Sequence, residues 1–383
     1  MRLDLYGGFG EKGRTCLGVE SGGYRLLLDA GVKISARDTD DYYPAIPAAT
    51  LKAIDAIVVT HGHEDHVAAL GWLIARGFGG RIFMTPETQS EAEISLASYA
   101  LPEHLALFRR AAVEPLPIGV DALRLGPLRI STGRSGHIAG GVWCRIDDGR
   151  VSFDYCGDVV PASPVFAMDR LPRCHAIVID ASYGDDDVPT RARAAEIAAW
   201  IAARPAGCVL PTPLYGRSAE LLAIVPGPMA LAPGMRNALR AQIEGSGWLV
   251  DGIAHRMTER LDAATDWREG DALPPAALLC HDGMGISGPS RAILVDAAAR
   301  AWATLFTGHL PSNSPGERMV AEGHAAWIRL PTHPTLTQNV AIAAASDASI
   351  VLGHSCDRAL LARLTQHLPR LRADLSTGDC VDL

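Results

Sequence analysis

The stretch AIDAIVVTHGHEDH, residues 53–66, constrains the fold more than any other part of this chain. A continuous apolar run ends on three histidines and an aspartate, and VAALGWLIARGFGG follows with helical spacing closed by glycines. An unbroken apolar run of strand length is what a strand needs when both of its faces are covered. Ligand-type side chains at its end belong on the strand-to-helix connection, where α/β proteins build their sites. The stretch therefore asks for a buried sheet, a helix packed on it, and chemistry at the sheet's edge.

The rest of the chain repeats that pattern. YRLLLDAG ends a strand-like run at Asp29, VSFDYCGD ends one at Asp158, and HAIVIDASYG ends one at Asp180. RIFMT and LRIST read as further strands, so the fold class is α/β. Past GDDDVPT the rhythm changes to Ala-rich helices and short strands, and NVAIAAASDASIVLGHSC then returns to a helix and a buried strand ending at His354. No apolar run approaches the roughly 18 residues of a membrane span, so no membrane partner is expected. The N-terminal MRLDLYGGFGEKG lacks the apolar core of a secretory signal, and the eight cysteines are scattered without CxxC spacing. Reduced thiols and a cytoplasmic location are expected.

A formal net charge of −8 counts against a protein that holds nucleic acid by bulk electrostatics. Bound divalent cations would reverse the field where it matters. Such a cation needs several nitrogen or oxygen donors converging on one point. His61 and His63, one residue apart on an extended loop, splay two imidazoles toward one ion, and Asp65–His66 at the start of the helix can serve a second. Two ions need more ligands than this loop holds. His137 in SGHIAGG, Asp158 in YCGD and His354 in VLGHSC each follow a strand-like segment and supply them. A lone histidine in any of these places reads as structural; beside the upstream cluster it reads as a ligand.

THGHEDH, together with Asp29, His137 and Asp158, resembles the metallo-β-lactamase fold superfamily. IDASYG resembles the acidic strand-end motif of the β-CASP nucleases within it. PTPLYGRSAELL, HDGMGISGPSRAIL and LFTGHLPSNSPGERM resemble, in order, three stretches of the inserted cap of those nucleases. YGGFGEKGRTC is similar to the start of ribonuclease J and of the cleavage-and-polyadenylation nuclease subunit. The resemblance implies an αββα sandwich of two mixed sheets with helices outside, carrying an inserted α/β cap. The expected domains are 1–184, a β-CASP cap over 185–334, and a return segment over 335–383.

The resemblance also implies roles. His61, His63 and His137 match the first metal site, Asp65, His66 and His354 the second, and Asp158 bridges both. Two divalent ions follow, Zn²⁺ first given the histidines and Mn²⁺ second. Asp65, Asp180 and His333 are the catalytic candidates, the last two as an acid dyad. Two motifs depart from the family. LPTHPT gives His333 where Ser-Gly-His is usual, and LGHSC gives His354 where His-Gly-Glu is usual. His309 is the lower-ranked alternative for the second ion. Arg217, Ser287 and Ser290 are substrate-binding candidates, though Arg217 and Glu220 also read as a helix-surface pair and the serines as turn caps.

The implied function is a metal-dependent phosphodiesterase that hydrolyses nucleic acid, RNA before DNA, through water activated by two metals. A homodimer is compatible with the sequence. Two other readings stand beside it. One is a small-molecule ester, lactone or phosphodiester hydrolase on the same fold, favoured by a cap region with 13 Arg, no Lys and 16 acidic residues over 184–334. The other is a catalytically silent β-CASP scaffold subunit, disfavoured because the ligand residues are kept.

Overall fold

The computed structural model describes residues 1–36 and 38–383. They form two compact units. The first takes Met1–Pro161, Met168–Asp187 and His333–Leu383; the second takes Ala162–Ala167 and Val188–Thr332. In chain order the first unit lays down β1 (Arg2–Gly7), β2 (Cys16–Ser21), β3 (Tyr24–Leu28), β4 (Ala56–Val58), β5 (Arg81–Met84) and β6 (Val113–Pro115). It continues with β7 (Gly119–Leu125), β8 (Leu128–Arg134), β9 (Val142–Asp147), β10 (Ser152–Tyr155) and β11 (Ala176–Asp180). The second unit holds β12 (Cys208–Pro211), β13 (Met229–Leu231), β14 (Thr265–Asp266), β15 (Ala277–Cys280), β16 (Leu305–Phe306) and β17 (Ala326–Trp327). The chain then returns to the first unit for β18 (Ile350–His354) and β19 (Cys380–Asp382).

Two mixed sheets build the first unit, in the orders β19-β1-β2-β3-β4-β5-β6 and β18-β11-β10-β9-β8-β7. Within them β3 to β6 run parallel, as do β10, β11 and β18. Leu27, Ile57 and Ile82 pack with Leu51, Leu70, Leu73, Ala92 and Leu96, which lie on helices. The pleat sends Leu26, Leu28, Val58 and Phe83 the other way, and they are buried too. In the second sheet Ile177, Ile179 and Val351 pack with Ile342, Leu361 and Leu364 of the helices Leu336–Ser346 and Arg358–Leu364. Phe153, Tyr155 and Val178 are buried on the opposite face. The two inner faces cover each other, and bonds cross between them. The Tyr155 hydroxyl donates to Asp29 Oδ2 at 2.8 Å, and the Val142 N–H donates to the Thr60 carbonyl at 2.9 Å. This is the αββα sandwich of the metallo-β-lactamase fold.

The second unit has a four-stranded sheet in the order β12-β15-β13-β14, with every pairing parallel, and a short parallel pair β16-β17. Helix Thr190–Ala202 precedes its strands, and helices Arg217–Ile224, Met235–Glu244, Ile253–Ala263 and Ser290–Ala299 lie between them, giving an α/β unit as parallel strands require. Residues 162–167 belong to it through Val250 N–H on the Val165 carbonyl at 2.8 Å and Ala167 N–H on the Trp248 carbonyl at 2.9 Å. All eight cysteines are free. Among the described residues no helix is long and apolar enough to cross a membrane.

If the inner faces form one core, Phe153→Ala removes a fully buried ring from it. The expected loss is about 3–5 kcal/mol of unfolding free energy, read from urea denaturation monitored by circular dichroism. A loss below about 1 kcal/mol would mean that this face is loosely packed.

Candidate metal centre

The ends of parallel strands bring the polar residues together. Asp29 follows β3, His61 lies three residues past β4, Asp158 three past β10, and Asp180 and His354 are paired in register at the ends of β11 and β18. Asp29 is completely buried and anchors the group. It accepts from the Thr60 N–H at 2.7 Å, the Thr60 hydroxyl at 2.9 Å, Tyr155 at 2.8 Å and His66 Nδ1 at 2.8 Å. A carboxylate accepts only, so His66 carries its proton on Nδ1 and presents Nε2 to the site.

His61, His63, His137 and Asp158 each place one donor atom within 4.8 Å of the others, a spacing that could hold a metal ion. Nε2 of His61 and of His137 both lie 3.6 Å from Asp158 Oδ2, and His63 Nδ1 lies 3.1 Å from His137 Nε2. On the other side of Asp158, His66 Nε2 is 3.2 Å from Oδ1 and 3.9 Å from Asp65 Oδ2. The helix Glu64–Val67 carries Asp65 and His66, so these two project from a first helical turn rather than from the loop. The backbone there is tightly held: a Cβ on Gly31 would lie 1.7 Å from the Asp65 carbonyl oxygen.

The electrostatics suit a cation. Burial, then the neighbouring His66, keeps His61 well below the ordinary histidine range, so its ring is a neutral donor. Burial opposes charge on His66, but Asp158, Asp29 and Asp65 outweigh it and raise its pKa well above that range, so a metal at Nε2 would take the place of a proton there. Asp158, despite burial, is held well below the carboxylate range by His66 and His333. Buried His61 Nε2, His66 Nε2 and Asp158 Oδ1 make no hydrogen bond with acceptable geometry. Such atoms cost about 1–3 kcal/mol each if left unsatisfied. Divalent ions fit this donor set.

Asp180 and His333 form a second feature beside it. His333 Nδ1 is 2.9 Å from Asp180 Oδ2 and 3.6 Å from Asp158 Oδ2. Asp180 is fully buried and also accepts from the Ser182 hydroxyl at 2.6 Å and the Ser182 N–H at 3.0 Å. Asn339 on the following helix donates to its carbonyl at 2.8 Å. Burial disfavours charge on His333, yet Asp180 and Asp158 prevail and its pKa rises to about 10. The two carboxylates thus favour the protonated ring.

The remaining candidates are placed differently. His354 lies near His66, ring centroids 6.0 Å apart, but both its nitrogens have protein partners. Nε2 is 2.9 Å from the Gly157 carbonyl and Nδ1 is 3.0 Å from Ser355 Oγ. A carbonyl only accepts, so Nε2 bears the proton, and binding a metal there would cost that bond. In the second unit, His309 is exposed. Arg217 donates to the Thr332 hydroxyl at 2.8 Å, while Glu220 is buried and accepts from Ser163 at 2.7 Å, so Glu220 is no member of a surface pair. Ser287 Oγ donates to Asp282 at 2.9 Å and Ser290 Oγ to the Ser287 carbonyl at 3.2 Å. Asp282 also gathers the N–H groups of Met284, Gly285, Ile286 and Ser287, so both serines shape that loop.

Sequence reasoning missed the helix Pro86–Tyr99. Thr88, Glu91 and Ser95 form a buried polar row on it, at positions i, i+3 and i+7. Burial, then Glu64, pushes the Glu91 carboxyl up to about 8. The signal was present as one-face spacing, but TPETQSEAEIS reads as an exposed polar surface until the ligand loops are seen against it.

The family described as the beta-lactamase superfamily domain matches residues 24–212, and this chain carries a metallo-β-lactamase superfamily domain. Its relatives are consistent with the β-CASP branch. It is 28% identical to the transcription termination factor FttA of Methanothermobacter thermautotrophicus over 66% of this chain and 43% of that protein. It is 27% identical to ribonuclease TTHA0252 of Thermus thermophilus over 48% of this chain and 44% of that one. The match thus spans less than half the length of either relative. In structure, a protein of unknown function from Enterococcus faecalis superimposes over 100% of this chain with a TM-score of 0.64 at 12% identity, a likeness of fold alone.

Asp29→Asn tests how far the anchor governs the cluster. The amide can still accept, but it cannot hold the His66 Nδ1 proton as a carboxylate does. Zinc affinity, measured by competition with a chromophoric chelator, should fall about 10- to 100-fold, the usual weight of such supporting partners. An unchanged affinity would remove Asp29 from any role in holding metal.

Proposed function

We propose that this protein is a metal-dependent nuclease that hydrolyses phosphodiester bonds in RNA in preference to DNA. The observation that carries the reading is the Asp180–His333 pair, 2.9 Å long, set against Asp158 of the metal cluster. Asp158, Asp180 and His333 also place one donor atom each within 4.8 Å of one another, but as the side chains stand His333 Nδ1 is hydrogen-bonded to Asp180, which is the arrangement of a proton donor and its support. Expelling a poor leaving group such as a ribose 3′ oxygen requires such a donor. The names of two relatives, a ribonuclease and a transcription termination factor, favour RNA.

His61, His63, His137 and Asp158 would hold one ion. Asp65 and His66 would hold a second with Asp158 shared, His354 being the further candidate ligand. Zn²⁺ is the first choice for the histidine-rich set and Mn²⁺ the second. Bound there, divalent ions would supply Lewis acidity toward water and the phosphoryl oxygens.

The chain's own groups do the rest. As an imidazolium, His333 would keep its Nδ1 proton on Asp180 and offer its Nε2 proton to a leaving oxygen. Asp180 keeps the ring oriented and favours its charged form, and is itself fixed by Ser182 and Asn339. Arg217 is the substrate-contact candidate of the second unit; Ser287 and Ser290 support its loop.

Asp180→Asn should keep the metals yet slow RNA cleavage by roughly 10²–10⁴. The defect should shrink on a nitrophenyl phosphodiester, whose leaving group scarcely needs a proton. An equal loss on both substrates would mean that Asp180 acts through binding or geometry. Excess chelator should abolish cleavage of 5′-labelled RNA, with activity restored by Zn²⁺ or Mn²⁺; full activity in chelator would overturn the reading. Cleavage of a small ester or lactone with no action on RNA or single-stranded DNA would favour a small-molecule hydrolase instead.

A further inference from the structure

The helix Pro86–Tyr99 touches both loops that carry the first group of ligands. At its N-terminus, the Thr85 and Thr88 hydroxyls donate to the Gly140 carbonyl at 2.9 and 3.1 Å, holding the loop of His137. Two turns on, Ser95 Oγ donates to the Gly62 carbonyl at 2.6 Å, holding the residue between His61 and His63. Between these points sits Glu91, buried, with Oε1 3.5 Å from His63 Nε2. As His63 now stands, this contact is close but is not a hydrogen bond. A Cβ on Gly62 would lie 2.6 Å from Glu91 Cβ and 2.7 Å from Oε2, so glycine between the histidines is what lets this side chain reach the loop.

The other histidines show why such a contact matters. His61 Nδ1 is supported by the Thr60 hydroxyl at 3.2 Å and His66 Nδ1 by Asp29 at 2.8 Å, each leaving Nε2 for the site. His63 is turned the opposite way, with Nδ1 toward His137 and Nε2 toward Glu91. It is also the most exposed of its group, at 21% against 1% for His61 and 4% for His137. A half-buried ring that must present Nδ1 is held by fewer neighbours, and its orientation depends the more on what faces its other nitrogen.

We propose that Glu91 is a positioning residue of the metal centre, its carboxyl facing His63 Nε2 at 3.5 Å and its side chain packed on Gly62 of the His61–His63 loop. The inference rests on the reading that His61, His63, His137 and Asp158 bind a divalent ion. Arrangement of the helix makes the role local: Glu91 faces the loop, whereas Glu93 on the same helix is exposed and paired with Arg109 at 2.8 Å.

The test compares the full-length wild type with Glu91→Ala, Glu91→Gln and the charge-matched control Glu93→Gln. Zinc stoichiometry and affinity are measured by chelator competition, the ligand-field spectrum of the Co²⁺-loaded protein is recorded, and metal-free unfolding is followed by urea. Glu91→Ala should bind zinc about 10- to 100-fold more weakly and shift the Co²⁺ bands. Glu91→Gln, which keeps the size of the side chain and an oxygen facing His63, should recover most of the affinity, and Glu93→Gln should match wild type. Wild-type affinity and spectrum in Glu91→Ala would overturn the proposal while leaving the metal site intact. So would a loss of metal-free stability with affinity unchanged, which marks a purely structural role. A wild type that binds no metal would overturn the underlying reading, and this inference with it.

Discussion

One buried carboxylate organises much of the first unit. Asp29 sits at zero exposure between two sheets and accepts from a backbone N–H, two hydroxyls and an imidazole. An isolated carboxylate in such a place would be prohibitively costly, and only full hydrogen bonding makes it tolerable. Each donor has a structural consequence. Thr60 fixes the chain just ahead of His61, Tyr155 ties β10 to the other sheet, and His66 is locked in the tautomer that turns Nε2 inward. The architecture of the core and the chemistry of its edge thus meet at one side chain.

From this anchor outward the site is a set of strand ends supported by helices. Parallel strands terminate along one edge, and their last residues or the turns after them are polar because the buried run has finished. Asp180 and His354 come level through register alone, as neighbours on β11 and β18. Helix Leu336–Ser346 steadies Asp180 through Asn339, and helix Pro86–Tyr99 steadies the two ligand loops through Thr88, Glu91 and Ser95. Precision in such a site comes from these outer contacts, since a ligand side chain free to rotate would dilute the arrangement.

The departure of LGHSC from the usual family motif has a visible consequence. Ser355 follows His354 and lies 3.0 Å from its Nδ1, while Nε2 is spent on Gly157. The histidine is therefore integrated into the protein's own hydrogen bonding. LPTHPT departs equally in letters, yet delivers His333 within 2.9 Å of Asp180. Motif spelling and side-chain placement are separate matters, because a pair needs only two atoms in reach.

The amino-acid sequence by itself determined the alternation of strands and helices, the end positions of Asp29, Asp158 and Asp180, and the crowding of His61, His63, Asp65 and His66 at one loop and helix start. These are local properties: apolar runs must be buried, and charged residues must leave the core where the run stops. It could not determine which side of His354 would meet a carbonyl, that Ser287 and Ser290 would turn inward to Asp282, or that Glu220 would be buried. Nor did TPETQSEAEIS disclose that Glu91 faces a ligand loop while Glu93, two residues on, faces solvent. Those outcomes depend on partners dozens of residues away in the chain, and only packing decides which polar atom a side chain finds when water is excluded.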